Sequence, residues 1–464
     1  MAFTDRLHNR GSIGGYDIDN SVKLEADNTE FFSRTPSSNS NRQTFTYSTW
    51  TKRTELGING AILDAYQGPN FFLLQFDTSD RFVVYNFDSG TDYGYHYTRR
   101  FRDTSAWYHI VFVSDTTNVT AADRYQLYVN GERISNSDVD VDYGTPPQNY
   151  DNNLNSTITH NIGKRGDGPT YNSCYLAETH LVDGTALAPT AFGEFDEDSG
   201  IWKPIEVTDV TYGTNGFYLE YKLPNTLGAD TAPGGNSNDF TLNNITAADQ
   251  ATDTPTNNFC TMNAIQNGNG STSTLTEGNL VVGTEDSKGV ASTFGVNKGK
   301  WYWEIKFVGS TISQYVGVSN RENEQSGDAS PGISSASIRS FFGNTIFKNY
   351  TSASLSSNSS FVNTNGAIYG VALDLDNGTL GRYVNGSLIS TDTTLPSDNS
   401  VTFFPMSITT NSGLGGWNEA RFNFGNPPYT IASGNSDANG YGTFEYTPPS
   451  GYYALCTKNL ARFG

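Results

Sequence analysis

Apolar and polar residues alternate with period two along most of this chain, which is the spacing of strands with one buried face. In the first half the alternation predicts strands over residues 45–50, 71–76, 81–87 and 107–113. A further run, 125–129, meets Asn130-Gly131 and returns through 132–134. Asn-Gly between two such runs predicts a hairpin, because a type I′ turn needs positive φ at both central residues. In the second half, residues 300–306 place Trp301, Trp303 and Ile305 on one face and Tyr302, Glu304 and Lys306 on the other. Strands follow over 314–318, 368–375, 379–384, 387–389, 401–408 and 420–424, with turns at Asp376-Asn377-Gly378 and Asn385-Gly386. No helical period intervenes. The pattern predicts an all-β protein built from antiparallel sandwiches.

The alternation dissolves between residues 223 and 258, where Gly, Pro, Asp, Thr and Asn dominate, and again over 267–274. The expected organisation is therefore an N-terminal arm (1–20), a sandwich (21–225), a linker and junction (226–274), and a second sandwich with a C-terminal extension (275–464). Tyr128-Val129-Asn130-Gly131 recurs as Tyr383-Val384-Asn385-Gly386, one copy in each half. Both sandwiches are expected to end a meander with the same hairpin.

Composition narrows the function. Charged residues are only 16% of the chain, yet the formal net charge is −20. That balance argues against binding to nucleic acid phosphates or anionic lipid, and favours a neutral glycan or a protein partner. The three cysteines, Cys174, Cys260 and Cys456, form no CxxC pair. They are expected to be inert small hydrophobes rather than a disulfide frame or zinc site. The N-terminal residues show no basic-then-apolar leader, and no apolar run reaches membrane-spanning length.

At certain motifs the chain resembles known families. With its Trp107-Tyr108-His109 strand and Tyr128-Val129-Asn130-Gly131 hairpin, the stretch from 21 to about 222 resembles the concanavalin A-like or laminin-G-like jelly-roll sandwich. Residues 258 to about 430 resemble a SPRY domain. The carriers there are Gly299-Lys300-Trp301-Tyr302-Trp303-Glu304-Ile305, Tyr315-Val316-Gly317-Val318, Tyr369-Gly370-Val371-Ala372-Leu373-Asp374 and Asn423-Phe424-Gly425-Asn426-Pro427. The pairing, with Asn9-Arg10-Gly11-Ser12 near the start and Pro448-Pro449-Ser450-Gly451-Tyr452 near the end, looks like structural proteins of tailed bacteriophages. The resemblance implies two jelly-roll sandwiches in series and a virion location, assembled in the host cytoplasm. It implies a fibre, spike or capsid appendage, whose partners are other virion proteins and a host-surface glycan or protein. A homo-oligomer, trimeric in a fibre, is expected.

Candidate chemistry is sparse, and the chain is expected not to be an enzyme. Glu194-Phe195-Asp196-Glu197-Asp198 resembles the ExDxE strand of concanavalin-like glucanases, where two carboxylates flank the scissile bond. Asp198 replaces the last Glu, and the run sits between glycines, so a solvated acidic turn is the competing reading. Asp138, Asp140 and Asp142 alternate along an extended segment and could offer oxygen ligands to Ca²⁺. A charge-protected strand edge competes there. No other cofactor is implied. Tyr93, Tyr95 and Tyr97 are a candidate glycan platform, since ring faces stack on sugars; packing of those rings against a neighbour is the alternative. Asn320, Arg321, Glu322 and Asn323 open a long polar loop suited to recognition. His109, alternating with apolar neighbours, is expected to be a satisfied buried histidine. Neither GxSxG nor a Walker-type loop occurs.

Overall fold

The computed structural model describes residues 15–235, 237–265, 274–283, 289–309, 314–319, 339–342, 345–348, 365–393, 395–409 and 418–464. The chain divides into two compact units, one ending at Thr256 and one running from Asn257 to Gly464.

The first unit begins with strands β1 (Ser21–Leu24), β2 (Phe31–Arg34), β3 (Thr44–Arg53), β4 (Gly60–Gln67), β5 (Asn70–Phe76) and β6 (Arg81–Asp88). Then come β7 (Thr91–Arg100), β8 (Tyr108–Asp115), β9 (Tyr125–Val129), β10 (Glu132–Ile134), β11 (Val139–Gly144) and β12 (Thr159–Ile162). It finishes with β13 (Cys174–Asp183), β14 (Gly193–Phe195), β15 (Trp202–Pro204), β16 (Phe217–Leu219), β17 (Thr241–Asn243) and β18 (Gln250–Ala251).

One sheet runs β10-β9-β8-β3-β13-β1-β18, and the other runs β11-β7-β6-β5-β4-β12-β2-β17. Between them lies a core that includes Phe45, Tyr47, Phe72, Leu74, Phe82, Val84, Ile110, Phe112, Leu127 and Leu176. These residues are alternate members of their strands, as a half-buried sheet requires. Burying side chains of this size contributes about 1.5–3 kcal/mol each.

The all-β expectation holds, but the jelly roll does not. Each main sheet is an open path with two free edges. Strands β4 to β7 are consecutive neighbours in one sheet, joined by short turns, so the chain does not alternate between sheets as a jelly roll needs. The second unit is open in the same way.

Residues 226–256, read from the sequence as linker, give β17 to one sheet and β18 to the other. Strands of two or three residues are too short to show alternation, and their polar composition reads as turn.

Strand β13 carries a bulge. Ala177 pairs with Trp50 and His180 with Ser48, leaving Glu178 and Thr179 opposite Thr49. Glu178 adopts φ +49° there, a left-handed conformation uncommon outside glycine and asparagine. The bulge divides one edge of β13 in two: Cys174–Leu176 pair with β1, and Thr179–Leu181 pair with β16.

The second unit contains β19 (Leu275–Thr276), β20 (Val281–Gly283), β21 (Gly289–Ala291), β22 (Lys300–Gly309), β23 (Gln314–Ser319), β24 (Arg339–Phe342) and β25 (Thr345–Lys348). It continues with β26 (Ile368–Asp374), β27 (Thr379–Val384), β28 (Ser387–Asp392), β29 (Phe404–Thr409), β30 (Asn418–Asn423), β31 (Tyr453–Ala454) and helix α1 (Thr457–Phe463). Its sheets run β19-β20-β30-β22-β26-β27-β28 and β21-β29-β23-β24-β25. Trp301, Trp303, Ile305 and Phe307 enter the core, while Tyr302 lies on the opposite face with Phe444, Ala454 and Cys456. On that face the buried Glu304 carboxylate accepts the backbone N–H groups of Glu445 and Tyr446 at 2.9 and 2.8 Å. The C-terminal extension is thereby fastened across β22.

The repeated Tyr-Val-Asn-Gly motif has one geometry in both units. Asn130 and Gly131 have φ of +50° and +78°; Asn385 and Gly386 have +46° and +78°. The backbone N–H of Asn130 donates to His109 O, and its Oδ1 accepts the His109 N–H at 2.8 Å. Asn385 makes the same two bonds to Ile368, the second at 3.0 Å. Each glycine lies under a ring: a Cβ on Gly131 would come within 2.4 Å of Trp202, and one on Gly386 within 2.5 Å of Tyr446.

Candidate functional site

The outward face of the second sheet in the first unit carries a grid of side chains that the core does not use. Phe72, Leu74, Phe82, Val84, Tyr95 and Tyr97 point inward, so their strand neighbours point outward. One row across the strands reads Thr159, Tyr66, Phe71, Phe87, Asp92. The next reads Asn161, Asp64, Leu73, Tyr85, Gly94, and a third contains Gln75, Val83, His96 and Val141.

The rings of this grid form a continuous surface. Phe71 meets Tyr85 edge-on at 4.9 Å, and Phe87 stacks on Phe71 at 5.8 Å. Tyr143, from β11, stacks on Tyr85 at 4.8 Å. Gly94 has no side chain beside Tyr85, and its φ of +129° would bring a Cβ 2.0 Å from Val84 O, so only glycine fits. Tyr66, Phe71, Tyr85, Phe87 and Tyr143 are all half-buried, each keeping part of a ring open to solvent.

Polar groups frame the rings. Tyr85 donates its hydroxyl proton to Asp92. Burial pushes the Asp64 carboxyl up to about 7, against the opposing pull of hydrogen bonds from the Gly166 N–H and Asn161. Gln75 is buried, and among the described residues its Oε1 has no hydrogen-bond partner. At the far end Arg81 binds Asp77 at 2.6 Å and Asp140 at 2.8 Å. Desolvation lowers the pKa of His96 beside them. Flat apolar rings bordered by a few hydrogen-bonding groups form a surface suited to the mixed apolar and hydroxyl faces of a sugar.

A second cluster lies on the outward face of the other sheet, where Ser48, Trp50, His109, Glu178 and His180 line part of a recess too tight to hold a water molecule. Ser48 Oγ lies 2.8 Å from His109 Nε2, a separation that suits an activated serine. The tautomer rules this out. Trp202 donates its indole N–H to His109 Nδ1 at 3.0 Å, so Nε2 carries the proton and donates to Ser48. The imidazole cannot then take the serine proton. Burial drives the His109 pKa down to about 3. Glu178 accepts the hydroxyls of Tyr218 and Tyr16 at 2.5 and 3.1 Å. Sequence alternation correctly read His109 as buried and satisfied.

The candidate tyrosines are placed otherwise than expected. Tyr95 and Tyr97 are 2% and 1% exposed and sit in the core, and Tyr93 packs against that core with its ring 4.9 Å from Tyr150. They share one face of β7, but it is the inner one. The open platform comes from the alternate residues of neighbouring strands.

The three candidate calcium ligands do not converge. Asp140 is held by Arg81, Asp142 accepts the Gly144 N–H at 2.7 Å, and all three are exposed along the edge strand. Among the described residues no group of three or more His, Cys, Asp or Glu side chains is arranged to hold a metal. The acidic run folds as a hairpin turn: Asp196 Oδ1 accepts the Ser199 N–H at 2.9 Å, and Lys203 bridges Asp196 and Glu194. Asn320, Arg321, Glu322 and Asn323 lie outside the described residues. Cys174, Cys260 and Cys456 are buried, and among the described residues they form no disulfide. Among the described residues no helix is long and apolar enough to cross a membrane.

Comparison with known proteins places the first unit. A family model described as the concanavalin A-like lectin/glucanases superfamily matches residues 27–189. No curated protein matches the sequence. Among solved structures, domains LG4-5 of the mouse laminin alpha1 chain are 10% identical, with 87% of this chain and 86% of that one covered and a TM-score of 0.29. The SPRY domain of human HERC1 is 15% identical over 31% of this chain and 87% of its own, at a TM-score of 0.23. Domain 4 of AbnA, an extracellular arabinanase from Geobacillus stearothermophilus solved with arabinotriose, is 16% identical over 39% of this chain and 82% of its own, at 0.27. Within its first unit, then, this chain carries a sandwich similar to the concanavalin A-like, laminin-G-like lectin domains.

Proposed function

We propose that the chain is a non-catalytic adhesion protein of a virion that binds host-surface glycan through the aromatic platform of its first unit. The observation that carries this reading is the set of half-open rings at Tyr66, Phe71, Tyr85, Phe87 and Tyr143, bordered by Asp64, Asn161 and Gln75. Similarity of residues 27–189 to lectin-type domains supports a carbohydrate ligand. The neutral His109 and the Lys203-bound acidic turn support a binding role over hydrolysis. The virion setting rests on the bacteriophage resemblance of the sequence, and it brings other virion proteins and further copies of the chain as partners. Weak contacts repeated over many copies would give avidity.

The test is binding of the full chain to host-surface polysaccharide by calorimetry, with release of reducing sugar measured in parallel. Phe71→Ala and Tyr85→Ala should each weaken binding by about tenfold, the equivalent of about 1.4 kcal/mol, with circular dichroism unchanged. Equal binding by both variants would remove the platform from the reading, and sugar release would remove the non-catalytic part.

A further inference from the structure

Lys52 and Asp253 stand 201 residues apart in sequence and meet inside the first unit. Lys52 Nζ lies 2.8 Å from Asp253 Oδ2, with the two side chains 1% and 0% exposed. Trp107 donates its indole N–H to the other oxygen, Oδ1, at 2.9 Å. The amine is 5.7 Å from the Tyr175 ring centre. Trp50, Trp107 and Tyr175 belong to one buried cluster around this point. Ser21 holds the Asp253 backbone carbonyl at 2.6 Å.

Excluding water from the pair leaves no solvent beside the two groups to hydrolyse a bond formed between them. An amine and a carboxyl held in contact through Nζ and Oδ2, in one fixed arrangement and away from water, are the two ends of an amide condensation. We propose that Lys52 and Asp253 condense to an intramolecular amide cross-link. A proton passes from Nζ to Oδ2, giving the amine and the acid. The Nζ lone pair attacks Cγ, forming the C–N bond, and the carbonyl pair moves onto Oδ1. The Trp107 N–H already points at that oxygen and stabilises its charge. A second proton passes from Nζ to the Oδ2 hydroxyl, the Cγ–Oδ2 bond breaks, water departs and the carbonyl at Oδ1 re-forms. One amide and one water result, and neither oxidant nor cofactor is consumed.

The bond ties the central strand β3 to the segment just after β18. This inference does not depend on the glycan reading. It is tested on the full chain by intact mass and tryptic mapping. The wild-type chain should weigh one water less than its sequence and yield a branched peptide joining Lys52 to Asp253, while Asp253→Ala keeps its full sequence mass. Trp107→Phe, which keeps an aromatic ring but loses the donor, should accumulate the branched peptide more slowly during refolding. A wild-type chain of full mass, cleaved by trypsin at Lys52, overturns the cross-link. Linking at an unchanged rate in Trp107→Phe overturns the role given to the indole.

Discussion

Asp64 is a carboxyl whose ordinary value of 3.8 is raised to about 7, chiefly by burial. Between those two values the folded chain keeps a proton that the unfolded chain releases. The stability tied to that proton is complete below about pH 3.8 and disappears as the pH rises through 7. Buried histidines act in the opposite sense. Burial takes His109 down to about 3 and His160 down to about 4, so their contribution is full above 6.5 and fades as the solution is acidified. The two effects overlap in the wild type, so the informative quantity is a difference. Relative to Asp64→Asn, the wild type should lose melting temperature steadily from pH 4 to pH 7, read by thermal scans of both proteins. A difference independent of pH would mean that Asp64 titrates normally.

Among the elements, the two Asn-Gly hairpins show how much a four-residue motif can specify. The turn gives the reversal, and the asparagine amide adds a hydrogen bond to the third strand that the backbone alone would not make. Asn130→Ala and Asn385→Ala should each cost about 1–2 kcal/mol, combining a lost hydrogen bond with a left-handed residue that no longer tolerates it. Urea titration of each variant checks the size. The sequence made these hairpins legible because positive φ at adjacent residues leaves few choices of side chain. The candidate site was less legible. Alternation shows that Tyr93, Tyr95 and Tyr97 share a face, but β5, β6 and β7 carry rings on both faces. Period two tells which residues point together and not which way is in. Phe71 and Tyr85 were therefore hidden behind Phe72 and Tyr95. The β13 bulge was equally invisible, since nothing in Ala177-Glu178-Thr179-His180 marks the extra residue.

At the scale of the molecule, sheet content and the division into two units follow from alternation and its interruptions, whereas the open sheet order does not. Which strands become neighbours depends on pairings far apart in sequence, and local patterns carry no record of them. The first unit's β1 pairs with β13 and β18, and β2 pairs with β12 and β17. Two of its earliest strands thus find partners only among its late ones. Folds dominated by such distant pairings form slowly, in milliseconds to seconds. A ribosome adding about 5–20 residues per second needs about six seconds or more to pass from β2 to β12. For that interval β1 and β2 have nothing to pair with, and the meander β4 to β7 keeps the β4 edge that β12 will cover open. Synthesis of this chain therefore includes a stage at which chaperone binding or encounter with another nascent copy competes with correct closure. Slowing translation before residue 159 should raise the insoluble fraction, and slowing it after residue 183 should not raise it through this route.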